Sequence, residues 1–224
     1  MKKVLIIASY FLIIQLMGCA SWSNTAKGGV IGAATGGAVG TAIGAATGKT
    51  ALGAIIGAAV GGTAGALIGK RMDKQAEEMQ EDLKNARVER VGEGIVVTFD
   101  SGILFDFDRA ELKPQAKANI AELTQTLQKY DDTDIMIVGH SDSQGAEDYN
   151  MELSERRANS VALYVATTGV TNSRMQKIGR GESEPVASND DAAGRQKNRR
   201  VEIAIFANDK MKKAAKRGDL SVDN

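Results

Sequence analysis

The sequence holds one cysteine and one histidine in 224 residues. A lone cysteine excludes an intramolecular disulfide framework and a Cys-rich zinc site, and a lone histidine offers no cluster for zinc. Acidic residues are missing from the whole N-terminal part, the first being Asp73. Five of the 28 basic residues (Lys2, Lys3, Lys27, Lys49, Lys70) lie in the first 70 positions, so the remainder carries 23 basic against 28 acidic residues. A general nucleic-acid binder, which needs a basic face for phosphates, is excluded. Long apolar runs are also missing: Val4 to Ile14 is interrupted by Ser9 and Tyr10 and is too short to span a bilayer comfortably. What is abundant is glycine, with 14 of 25 falling between Gly28 and Gly69. The length admits one or two domains.

Lys2 and Lys3 before the short apolar run form the charged and apolar regions of a secretory signal. The run ends in Leu16-Met17-Gly18-Cys19, which resembles the lipobox of bacterial lipoproteins, with Met17 an unusual occupant. The resemblance implies that residues 1–18 are removed and that Cys19 is acylated as the first residue of a lipidated N-terminus, 19–27. Ala20 rather than Asp follows it, which by analogy with lipoprotein sorting favours the outer membrane. The other reading is an uncleaved helix with an incidental cysteine.

Glycine recurs at 28, 32, 36, 40, 44 and 48, slips once by five, and resumes at 53, 57, 61, 65 and 69. A four-residue step keeps glycines near one face of a helix, where another backbone can approach closely. Segments 28–48 and 53–69 would be about 31 and 26 Å long as helices, which fits a membrane hairpin over 28–69 turning at Lys49-Thr50. Each glycine costs a helix about 1 kcal/mol relative to alanine, so these helices need a packing partner or lipid. A flexible Gly/Ala linker is the alternative. Beyond it, Met72, Ala76, Met79, Leu83 and Ala86 alternate steps of four and three. Two heptads are few for a coiled coil, so 70–91 reads as an amphipathic connector packing on its neighbours, with dimerisation the alternative.

Residues 92–206 read as one folded domain. Gly94 to Phe99 is apolar and β-branched, and Asp100-Ser101-Gly102 before Ile103-Leu104-Phe105 predicts a hairpin or bulged strand pair. Lys113-Pro114 opens a helix carrying Ile120, Leu123, Leu127 and Tyr130 on one side. Ile135 to Val138 is a continuous apolar run, the pattern of a strand covered on both faces. A helix from about Tyr149 to Thr168 stops at Gly169, and strands are expected over 175–179 and 201–206. The order predicts an α/β or α+β sandwich of β-α-β-α-β-β type, with helices against one sheet and the zipper hairpin on its N-terminal side. Residues 207–224 form a basic tail with Lys210, Lys212, Lys213, Lys216 and Arg217, solvated or touching anionic glycan or lipid.

The loops of this domain carry Leu104-Phe105-Asp106-Phe107-Asp108, then Gly139-His140-Ser141-Asp142 with Gly145. Tyr149-Asn150 and Leu153-Ser154-Glu155-Arg156-Arg157-Ala158 follow, then Gly179-Arg180-Gly181-Glu182 with Pro185, and Asn198-Arg199-Arg200-Val201-Glu202. In this order and spacing they resemble the OmpA-like peptidoglycan-binding domain, over about residues 94–206. With the lipobox and zipper, the chain looks like a glycine-zipper outer-membrane lipoprotein bearing that domain.

The resemblance implies a non-covalent hold on meso-diaminopimelate of the stem peptide, whose free D-centre presents an ammonium beside a carboxylate. Asp142 would match the family's aspartate for the ammonium and Arg157 its arginine for the carboxylate, whose planar fork binds a carboxylate bidentately. Asp108, Ser141 and Asn150 would line the same pocket, Ser141 standing where threonine is usual. An internal Asp142–Arg157 salt bridge is the structural alternative. For Arg199 and Arg200 a structural role is expected, one of them pairing with an acid to fix the last strand. His140 invites a catalytic reading, but no Ser or Cys nucleophile with a plausible motif accompanies it.

The reading is a non-enzymatic tether in the outer membrane without cofactor. Its partners are peptidoglycan, membrane lipid and, through the zipper, further copies of itself, with no nucleic acid. An oligomeric zipper channel or assembly factor is the first rival and a periplasmic wall hydrolase the second.

Overall fold

The seam through Met72, Ala76, Met79 and Leu83 lies on a helix whose partner is the domain itself. A computed structural model of the chain describes residues 49–221. The expected signal segment, Cys19 and the first zipper segment lie outside the described residues. The described part of the zipper forms two helices, α1 (Thr50–Ala58) and α2 (Gly62–Asp82). They are separated at Gly61 and Gly62, whose φ angles of 72° and 63° glycine adopts without strain. The second zipper segment is therefore not one helix over 53–69. Glu93 closes the break, its carboxylate accepting the N–H groups of Val60 and Gly61 at 2.8 and 2.7 Å. Among the described residues, no helix is long and apolar enough to cross a membrane.

Strand β1 (Arg87–Val91) follows α2 and turns through Gly92 into β2 (Gly94–Asp100). The expected partner of β2, Ile103 to Phe105, differs: Ser101–Leu104 winds into a short helical turn, α3, and only Phe105 bridges to Leu112. Burial of Leu104 and Ser101 turns the chain inward there. Then come α4 (Pro114–Lys129), β3 (Thr133–Gly139), α5 (Glu147–Thr167), β4 (Met175–Gly179), α6 (Ala192–Asn198), β5 (Arg200–Ala207) and α7 (Asp209–Arg217). From β2 onward this is the β-α-β-α-β-β order with short insertions. Among the described residues the strands lie in the order β1-β2-β5-β3-β4, only β3 and β4 being parallel.

One sheet face carries Ile95, Val97, Phe99, Ile135, Ile137, Val201, Ile203 and Ile205, packed with Leu123 and Leu127 of α4, Val161 and Val165 of α5, and Ile68, Met72 and Met79 of α2. Along a strand successive side chains point to opposite faces, so Val96, Met136, Val138, Ala204 and Phe206 occupy the other. There they meet Ala51, Ala54, Ile55 and Ala58 of α1. The apolar run of β3 is thus covered on both faces. Gly94 makes room for α1, since a Cβ there would sit 2.8 Å from Ile55. The basic tail is a docked helix: Asn208 caps α7, Gly218 ends it at φ 78°, and Met211 and Ala215 are buried in the main core.

Candidate functional site

The C-terminal ends of β3 and β4, the first half of α5, the α3–α4 loop and α6 converge at one end of the sheet. Asp142, three residues past β3, is 6% exposed. Its Oδ1 accepts the Gln144 N–H at 3.0 Å, and its Oδ2 pairs with the Arg199 guanidinium. Asn150 Nδ2 lies 3.1 Å from the carbonyl oxygens of Asp142 and Gln144 and 2.7 Å from Glu182 Oε2, fixing the loop against α5. Ser141 donates its N–H to Gly181 O at 2.8 Å, while its buried hydroxyl has no partner among the described residues.

Arg157 is 5% exposed on α5. Its Nε donates to Arg109 O at 3.0 Å, and its guanidinium carbon stands 5.2 Å from the centroid of the Phe105 ring. Burial pulls its pKa down, and Asp108 is the strongest opposing charge, followed by Tyr149 and Asp142. Asp108 itself adopts a left-handed φ of 57°, a conformation that aspartate tolerates better than most residues, and accepts the Tyr149 hydroxyl. A cleft of about 400 Å³ is lined by Ser101, Phe105, Gln144, Arg157, Arg195 and Arg199 among others, with Phe107 94% exposed at its rim. Of the five expected pocket residues only Arg157 lines this cleft, Asp108, Ser141, Asp142 and Asn150 lying outside its lining, and two other clefts, along Arg87, Thr98 and Arg200, contain none of the five.

The five expected residues thus occupy one end of the sheet, Asp108 joined to the others through its charge on Arg157. Cys19 lies outside the described residues. Asp142 and Arg157 are not paired with each other. The acid binds Arg199, fifty-seven residues away in sequence, and the Arg157 fork keeps its two Nη groups without a partner among the described residues. Both Arg199 and Arg200 pair with acids, Arg200 with Glu202 at 2.7 Å. Sequence reasoning missed Arg199, Gln144, Tyr149 and Glu182 as site neighbours, although Asn198-Arg199-Arg200 marked the right segment. His140 is 1% exposed, with Nε2 3.9 Å from Glu202 Oε2. Burial first, then Arg200 and Arg180, hold its pKa well below 6.5.

This geometry can be set beside known proteins. The sequence model of the OmpA family matches residues 104–199, and that of the YMGG-like Gly-zipper matches residues 1–73. Outer membrane protein A of Bordetella avium is 43% identical over 114 residues, which cover 51% of this chain and 59% of that protein. Outer-membrane lipoprotein YfiB of Pseudomonas aeruginosa is 36% identical over 115 residues, covering 51% of this chain and 68% of that one. Among solved structures, the cell wall anchor of the T6SS from Pseudomonas aeruginosa superposes with a TM-score of 0.54 at 35% identity, covering 60% of this chain and 97% of that one.

Proposed function

The chain belongs to the OmpA family, and from that membership we propose that it is an outer-membrane lipoprotein whose domain binds peptidoglycan without a covalent bond. The observation that carries this reading is a separation of charge at this end of the sheet: the buried Asp142 carboxylate pairs with Arg199, and the buried Arg157 guanidinium at the cleft wall does not pair with it. Asp142 would take the ammonium of the diaminopimelate D-centre. A carboxylate has about four lone-pair sites, and Arg199 and the Gln144 N–H account for two, so an ammonium can join them. Arg157 would take the adjoining carboxylate on the two Nη groups left over after Nε binds Arg109 O. The unpartnered Ser141 hydroxyl supports the same reading, since a buried donor without a partner costs about 1–3 kcal/mol that a ligand oxygen would recover. Asn150 holds the Asp142 loop, and the Asp108 charge balances that of Arg157. The whole is a tether rather than an enzyme.

Residues 28–69 remain our candidate for a zipper, with its described half on the domain rather than in lipid. Several acyl chains on Cys19 would fix the chain to the outer membrane, because one chain alone binds only marginally. Labelled palmitate tests that anchor. Incorporation into Cys19→Ala at the wild-type level would remove it.

The wall-binding reading is tested by pulling the full chain down on purified sacculi, with free diaminopimelate as competitor. Asp142→Asn and Arg157→Lys keep shape and lose charge or fork, respectively. Truncating one partner of a buried charge pair costs about 2–5 kcal/mol, so each should lose at least about thirtyfold in affinity while remaining folded by circular dichroism. Normal binding by both variants would show that the ligand sits elsewhere.

A further inference from the structure

The loop from Arg180 to Glu184 touches two regions that the proposed function keeps apart. On one side it holds residues of the proposed binding site and of α5: Gly181 O receives the Ser141 N–H at 2.8 Å, Gly181 N–H donates to Ser154 Oγ at 2.9 Å, and Glu182 receives Asn150 at 2.7 Å. On the other side it holds the start of α1. Glu184, only 4% exposed, receives the Thr50 N–H at 3.0 Å on Oε2 and the Thr50 hydroxyl at 2.5 Å on Oε1. Arg180 Nε stands 3.3 Å from Glu184 Oε1 and donates to the same hydroxyl at 2.8 Å. Thr50 itself is fully buried. A carboxylate placed on the N–H groups of a helix start is favoured by the helix dipole, and with water excluded these charge-assisted bonds are stronger than in solvent.

Thr50 is also where α1 meets the chain that leads back toward Cys19. Any pull from a membrane anchor enters the described fold at Lys49 and reaches Thr50 first. Removing Thr50 from its seat leaves the buried Glu184 carboxylate with Arg180 as its one side-chain partner among the described residues, so the loop must shift to bring that carboxylate to water. The shift is transmitted four residues or fewer along the chain, to Glu182 and Gly181, which hold Asn150 and Ser141.

We propose that Thr50, Arg180 and Glu184 are positioning residues that tie the docking of α1 to the placement of Ser141 and Asn150 in the proposed wall-binding site. This rests on the function proposed above. By linkage the coupling is reciprocal: a seated α1 raises affinity for the stem peptide, and a bound stem peptide tightens the seat of α1. Tension on the anchor, by unseating α1, loosens the grip on the wall.

The test uses the full chain in detergent micelles and three variants. Thr50→Val removes the hydroxyl at nearly constant shape, Thr50→Ser restores it, and Ile55→Ala loosens α1 from the sheet without touching the loop. Amide hydrogen exchange is read at residues 51–58 and at Ser141, whose N–H reports the loop contact without any ligand. We expect Thr50→Val and Ile55→Ala each to raise exchange at both places and to weaken sacculus binding about five- to tenfold, within the usual span of coupling between sites. Thr50→Ser should restore both. Free meso-diaminopimelate should slow exchange at 51–58 in the wild type. Should Thr50→Val fail to fold, Ile55→Ala decides alone. If α1 loosens while Ser141 exchange and sacculus affinity stay at wild-type values, there is no coupling. If the wild type itself does not bind sacculi, the wall-binding reading fails, while Ser141 exchange still decides whether α1 and the loop are tied.

Discussion

The two faces of the sheet are covered by different material, and the difference bears on stability and on function. The inner face meets four helices with Leu, Ile, Met and Phe interdigitated, and Leu123, Leu127, Met72 and Met79 are completely buried there. Among the described residues the outer face meets one helix of nine residues, whose contact with the sheet is made by three alanines and Ile55. Apolar burial is worth about 25 cal/mol per Å², so the inner face has far more to hold it. Small residues let α1 lie close, as at Gly94, but give it little area. Proteins open locally where buried apolar contacts are few. The inner face should therefore define global unfolding and α1 should come and go within the native state.

The sharpest test sets Leu123→Ala against Ile55→Ala. Deleting a buried Leu or Ile to Ala costs about 2–5 kcal/mol. We expect Leu123→Ala to lower global stability by that amount in urea titration. Ile55→Ala should leave the global midpoint near wild type and raise exchange at 51–58, since α1 can leave before the rest unfolds. Equal shifts of the global midpoint would mean that both faces form one cooperative unit.

The same contrast explains what could be read in the sequence. Helices α4 and α5 were legible because each turns one apolar face to the core at steps of three and four, and β3 because both of its faces are apolar. The gathering of Asp108, Ser141, Asp142, Asn150 and Arg157 toward one end of the sheet was legible because five ordered motifs resemble one family. The seat of α1 was not legible: the sheet meets Ala51, Ala54, Ile55 and Ala58 rather than the four-residue glycine step, and four small apolar positions on a short helix do not say what covers them. Strand β1 was hidden because Arg87, Glu89 and Arg90 make an edge strand look like a charged connector. Helix α7 buries only Met211 and Ala215, too short a pattern to separate from a solvated tail. The Asp142–Arg199 pair joins segments whose proximity only the sheet order β5-β3 creates.

A second, smaller effect probes the outer side of the sheet through pH. His140 extends the alternation of Met136 and Val138 on that side, with Glu202, Arg200 and Arg180 around it. Its folded pKa is depressed by burial, so the unfolded chain binds the extra proton. Its contribution is fully present above the unfolded value of about 6.5 and is lost as pH falls from there toward the folded value. One proton gives a slope of about 1.4 kcal/mol per pH unit in that window. Urea titrations at pH 7, 6 and 5 should show the wild type losing stability more steeply than His140→Gln. Parallel slopes would mean that the imidazole is not held neutral.

The smallest expected effect lies at the inner face's rim, where charge rather than area makes the contact. Asp131 pairs with Lys210 of α7 at 2.9 Å, but both side chains are about two-thirds exposed, at 66% and 67%. Solvent screens such a pair, and holding two long side chains in one geometry costs entropy, so its worth is under about 1 kcal/mol. The seat of α7 rests instead on Met211 and Ala215 in the core, and on Asn208 accepting the N–H groups of Lys210 and Met211 at 2.9 and 3.1 Å. Asp131→Ala should therefore leave the melting temperature, exchange in 209–217 and sacculus binding close to wild type. Exchange in α7 rising as much as exchange in α1 does in Ile55→Ala would show that surface charge, and not buried area, decides which helices stay seated on this sheet.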